Sequence, residues 1–212
     1  MRQAPARSAS VPPALPAALR KHQRRLVAEL REIATETHVL HRFWYKNHAQ
    51  LRHMVWWRRV RCVRQLGCRI ATGPLRGTVP RAGSTASHTD GAACAPLDSD
   101  TPILGTALLT SLAQAYASLW GEEAASWESL PRFSTPPTHK VKKAPFARAL
   151  RAARALRTAL DELQRRCEAC FAHIHAHLNT PPAPMHVATC MALLGLCAHL
   201  ATVCERLVRA TM

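Results

Sequence analysis

Apolar side chains recur at three- and four-residue spacing along most of this chain, the period of a helix face and not of a strand. In the first such stretch, beginning near Ala18, the positions Leu26, Leu30, Ile33, Thr37, Leu40 and Trp44 share one face, and Arg24, Arg25 and Arg31 lie opposite. The pattern predicts that this helical region continues, with or without a kink near Asn47, through Leu51, Val55, Cys62 and Leu66. Gly67 is the expected stop, and Gly73 with Pro74 marks the break. A further helix is expected from Ile103 to about Trp120 through Leu108, Leu112, Ala115 and Leu119. The longest regular signal runs from Phe146 to His177 through Leu150, Ala153, Leu156, Leu160, Leu163, Cys167, Cys170 and Ile174. Pro181, Pro182 and Pro184 close it, and a last helix is expected from Met185 or His186 with Cys190, Leu193, Cys197, Leu200, Cys204 and Leu207 on its buried face. No segment of useful length alternates with period two. The expected class is all-α, an antiparallel bundle of four to five helices with a long first helical region and an irregular insertion.

At 212 residues the chain suits one domain with a real core. Residues 1–20, rich in Ala, Pro and Arg, are expected as a disordered tail, since their prolines oppose an amphipathic presequence helix. Residues 21–71 form the basic and aromatic helical region, and 72–102 read as a flexible low-complexity loop. Residues 103–212 supply the remaining helices, which pack with 21–71 as one domain.

Charge adds the first functional constraint. Lys and Arg number 29 against 13 Asp and Glu, a net +16, and most of the cations are arginine. Such a surface attracts polyanions, and arginine suits bidentate phosphate contacts and stacking on bases. The alternative is a generic charge that only maintains solubility. Eight cysteines without a secretory leader imply a reduced, intracellular setting. From Val187 to Cys204 no charged side chain appears, enough residues for a membrane span. A buried bundle helix gives the same pattern, and His199 with the diluting alanines and cysteines favours it, so no membrane partner is expected.

The candidate chemistry concentrates between His41 and Arg59, where cations, amides and five aromatic rings crowd together and no acid occurs between Glu36 and Asp90. Arg42, Lys46, Asn47, Gln50, Arg52, Arg58 and Arg59 are the expected RNA contacts. Trp44, Tyr45, Trp56 and Trp57 are candidates for base stacking or protein docking, with one of the adjacent pair 56 and 57 packing inward and the other facing out. Asn47 has the alternative role of capping or kinking the long helix. Arg148, Arg151, Arg154 and Arg157 form a secondary basic face. The Cys167-x-x-Cys170 pair followed by His173, His175 and His177 resembles a zinc motif, but both thiols lie on an apolar helix stripe, so core packing is expected and no metal. No phosphate loop, nucleophile elbow, His-Glu-x-x-His run or paired carboxylate motif is present, so no catalytic residue and no cofactor are expected.

The run Lys46-Asn47-x-x-Gln50-x-Arg52-x-x-x-Trp56-Trp57 resembles the signature of the fungal protein subunit specific to ribonuclease MRP, with a related block in the nucleolus and neural progenitor protein family. His48, Ala49 and Leu51 stand where that family commonly carries Lys, Asn and His. The likeness spans roughly residues 20–70 and 145–210, and its specific part is the first block. It implies a noncatalytic subunit of a ribonucleoprotein whose RNA carries the metal-dependent chemistry. The implied partners are the MRP RNA, proteins shared with ribonuclease P and precursor rRNA, in the nucleolus of the nucleus.

Overall fold

The computed structural model describes residues 15–71, 103–121, 143–180 and 186–210. They form five helices: α1 (Leu15–Leu51), α2 (Val55–Ala71), α3 (Leu104–Trp120), α4 (Lys143–Leu178) and α5 (Val187–Ala210). Among the described residues there is no strand, and the all-α bundle expected from the periodicity is what forms. The expected loop at 72–102 lies outside the described residues, as does most of the expected tail; α1 already begins at Leu15, within the segment read as tail.

The helices make a four-column bundle whose second column is built from two pieces. α1 packs on α2 and α5, and α4 packs on α2, α3 and α5. α3 starts where α2 ends, with Gly105 against the Ile70 carbonyl and the Leu30 side chain. Further along, Tyr116 of α3 packs against Leu19 of α1. From Leu30 back to Leu19 and from Gly105 on to Tyr116 are equal steps of chain, so α3 continues α2's course antiparallel to α1. Two 17-residue helices thereby cover the length of the 37-residue α1 and the 36-residue α4.

The core is the predicted stripe, helix by helix. Leu26, Leu30, Ile33, Thr37 and Leu40 of α1 are buried, as are Leu156, Leu160, Leu163, Cys167, Cys170 and Ile174 of α4 and Cys190, Leu193, Cys197, Leu200, Cys204 and Leu207 of α5. Burial of each large aliphatic chain contributes about 1.5–3 kcal/mol. Two stretches depart from the expected faces. In α4 the first turns bury Ala149 and leave Leu150 exposed. In α2 Val55 and Cys62 are exposed, and the buried face is Trp56, Trp57, Val60, Val63, Leu66 and Ile70. A break at residues 52–54 resets the helical phase, so the register extrapolated from α1 does not carry across.

Gly67 is not a stop. It lies buried within α2, and a Cβ there would meet Thr37 Oγ1 at 2.5 Å and its Cγ2 at 3.0 Å. At Gly105 a Cβ would meet the Ile70 carbonyl oxygen at 2.8 Å. Gly67→Ala and Gly105→Ala should each lower stability by about 1–3 kcal/mol from overpacking, against at most about 1 kcal/mol of helix preference for alanine. At Gly195 on α5 a Cβ meets nothing within 4 Å, so Gly195→Ala should be neutral or stabilising. Thermal unfolding of the three variants checks the opposite signs.

Ion pairs close α1 against α5. Arg206 sets Nε 3.2 Å from Glu29 and Nη2 2.6 Å from Glu32, while His199 faces Glu32 through Nε2 and Glu36 through Nδ1, both at 3.1 Å. The pairings step up α1 as they step down α5, which fixes the antiparallel sense.

Six described cysteines are free thiols, whereas Cys68 is disulfide-bonded, a departure from the expected fully reduced set. Cys167, Cys170, Cys190, Cys197 and Cys204 are fully buried core residues. α5 is long and apolar enough to cross a membrane by length and composition alone. One of its faces packs on α1 and α4, and Val187 and Met191 stand exposed on the other.

Candidate nucleic-acid interface

The acid-free stretch folds into the junction where α1 turns back into α2. Arg52 N–H still reaches the His48 carbonyl, Met54 N–H bonds to Leu51 O at 2.9 Å, and Trp57 N–H bonds to Met54 O at 3.1 Å. Three residues therefore reverse the chain, and tryptophans from both helices lock the reversal. Trp44 of α1 and Trp57 of α2 lie parallel within 6°, with ring centres 6.4 Å apart, and Trp56 meets Trp57 edge-on at 5.7 Å. Trp57 Nε1 donates to His48 Nδ1 at 3.0 Å, and His48 in turn stacks on Trp44 at 4.1 Å. That bond leaves only Nε2 of a neutral His48 to carry the proton.

Arg64 ties the next turns together. Its guanidinium lies 4.3 Å over the Trp44 ring, and Nη1 is 2.8 Å from His41 Nδ1. Burial, and then the neighbouring Arg61, lower its pKa. Sequence reading passed over Arg64 although it follows Trp57 and Val60 on the inner face of α2 at helical spacing, a signal that the reset phase concealed. On the third side, Trp56 contacts His177 near the end of α4 at 5.8 Å. The indole N–H groups of Trp44 and Trp56, Arg64 Nε and His177 Nε2 are buried without a partner among the described residues.

Around this rigid knot the cations point outward. Arg42, Lys46 and Gln50 follow one another at four-residue steps on the exposed face of α1, Arg52 stands exposed in the break, and Arg58, Arg59, Arg61 and Arg69 are exposed on α2. Among the described residues no carboxylate belongs to this stretch, while Glu29, Glu32 and Glu36 of α1 are engaged with α5. Tyr45, 70% exposed, is the ring open to solvent.

The expected contacts are not all assembled. Trp56 and Trp57 are only 4% and 2% exposed, so both pack inward, against the expectation that one would face out. Neighbours on a helix diverge by about 100°, but α1 encloses one ring and α4 the other. Asn47 is half-buried and donates Nδ2–H to the Phe43 carbonyl at 2.8 Å, which is the local bracing role and not an outward one. Arg148, Arg151, Arg154 and Arg157 are exposed, but they precede His177 by 20 to 29 positions on one helix. At a rise of about 1.5 Å per residue they lie about 30–45 Å along α4 from the junction, so the two basic faces are separate. His173 bonds back to the Ala169 carbonyl and His175 stacks on Phe171, so neither turns toward the thiols. Among the described residues no three His, Cys, Asp or Glu side chains are grouped to hold a metal ion.

No protein-family model, curated protein or solved structure matches the chain. The functional reading therefore stands on the geometry of this junction and on the short motif it contains.

Proposed function

We propose that this chain is a noncatalytic RNA-binding subunit of the ribonuclease MRP ribonucleoprotein, supporting assembly and the cleavage of precursor rRNA by the RNA subunit in the nucleolus. The observation that carries the reading is the unopposed cationic surface of the junction: Arg42, Lys46, Arg52, Arg58 and Arg59 exposed on two helices held at a fixed angle, with no carboxylate of that stretch to neutralise them. Cations on a rigid frame replace the counterions of phosphates without paying to order a loop. Gln50 adds donor and acceptor capacity for base edges, and Tyr45 offers the stacking face. The buried Trp56 and Trp57 position this surface and do not themselves touch RNA.

Purification of the tagged protein under native conditions should enrich one structured RNA together with proteins shared with ribonuclease P. Recovery of the protein free of RNA rejects the reading. Recovery with precursor rRNA and without ribonuclease P proteins replaces it by a nucleolar RNA- and protein-interaction factor acting outside ribonuclease MRP. Tyr45→Ala should weaken RNA binding by about 1–3 kcal/mol, the worth of one base–aromatic stack, and leave the melting temperature unchanged; filter binding alongside thermal unfolding reads both.

A further inference from the structure

Most cations of the acid-free stretch stand in solvent, but Arg64 reaches from α2 across to α1 and is half-buried there. Its guanidinium rests 4.3 Å over the Trp44 ring, and Nη1 donates to His41 Nδ1 at 2.8 Å. Nε is buried without a partner, and Nη2 meets no acceptor among the described residues. Arg61 stands exposed one turn back on the same side of α2, where residues three apart set their Cβ atoms about 5–6 Å from each other. Neither arginine pairs with a carboxylate among the described residues. The sequence has no acid between Glu36 and Asp90, and Glu36 itself is engaged by His199 of α5.

A half-buried guanidinium beside a second one, with donors unused and no counter-charge, is costly in the free chain. An anion seated between the two removes the repulsion and takes up Nη2. One guanidinium fork already matches both oxygens of a carboxylate, whereas a phosphate group has oxygens enough to meet two forks. We propose that Arg61 and Arg64 form a phosphate-binding site at the seam between α1 and α2, with Trp44 and His41 holding the Arg64 guanidinium in place. The stacked ring fixes the plane of that guanidinium and the His41 bond fixes its rotation, so little side-chain freedom is left to lose when the anion arrives. Arg61, the exposed partner, supplies the second fork. The site deepens the RNA-binding reading and rests on it only for the source of the phosphate, an RNA backbone and not the free ion.

The test uses the full chain with its arginine side chains labelled with nitrogen-15, the Arg64 Nε–H resonance being the one missing from Arg64→Lys. Inorganic phosphate, titrated at constant ionic strength against chloride, should move that resonance. Arg61→Gln should weaken the phosphate effect by about tenfold, the worth of a charge-assisted hydrogen bond. Arg69→Gln, on another side of α2 and equally exposed, should leave it unchanged. A single-stranded uridine oligonucleotide should move the same resonance, and Arg61→Gln should flatten the salt dependence of its binding by about 0.7, one phosphate contact. An Arg64 resonance that neither phosphate nor RNA moves overturns the proposal, and RNA binding that persists in that case leaves the RNA-binding reading standing. A phosphate response without RNA binding supports the site as one for the free ion and counts against that reading. Acetate moving the resonance as strongly as phosphate overturns the proposal in favour of a carboxylate from a partner protein.

Discussion

Trp57→Ala should lower the unfolding free energy by about 3–5 kcal/mol and the melting temperature by roughly 10 °C or more. The ring is 2% exposed, lies between Trp44 and Trp56, and satisfies its N–H on His48. Truncation opens a cavity at the point where the chain reverses, leaves Trp44 without its parallel neighbour, and strips His48 of its donor. Trp57→Phe keeps most of the volume and loses the hydrogen bond, so it should cost about 1–2 kcal/mol. Denaturant unfolding with circular dichroism separates the two. A loss below about 1 kcal/mol for Trp57→Ala would show that the junction does not hold the two helices together.

Joint charge reversal at Arg52 and Arg58 should weaken RNA binding by about ten- to a hundredfold near physiological salt and flatten the dependence of log affinity on log salt by about 1.4–1.8. Each phosphate contact contributes about 0.7–0.9 to that slope, and both side chains are exposed on the acid-free surface. Salt titrations of binding, with a melting curve to exclude unfolding, measure it directly. An unchanged slope would mean that these arginines meet protein or solvent. Reversal of Arg151 and Arg154 is the companion measurement: those residues lie at the far end of α4, so a comparable loss would require one RNA to reach both faces.

The extent to which the fold was legible depended on whether neighbouring helices could override local period. α1, α4 and α5 run unbroken, and their three- and four-residue spacing names nearly every core residue from Leu26 to Leu207. At residues 52–54 there is no proline or glycine to announce a turn. The turn exists because Trp56 and Trp57 bury between α1 and α4, a demand that only the assembled bundle makes, so Val55 and Cys62 were assigned to the wrong face. Gly67 shows the same limit in another form. An isolated glycine at the end of an apolar pattern reads as a stop, and only Thr37 on the facing helix makes it a point of close approach. Of the candidate site, the exposure of the cations was legible, since it follows from charge, and the placement of the rings was not. A tryptophan suits a base or a core equally well until its neighbours are known.

The ion pairs between α1 and α5 have a consequence for how the molecule meets a polyanion. Glu29, Glu32 and Glu36 compensate Arg206 and His199 along one flank, so the surplus positive charge is displaced to the other elements. Among the described residues this leaves two cationic areas, the α1–α2 turn and the α4 face of Arg148, Arg151, Arg154 and Arg157, with the α1–α5 flank as the side whose charges are paired. A polyanion approaching at low ionic strength is steered toward either cationic area and away from the α1–α5 flank.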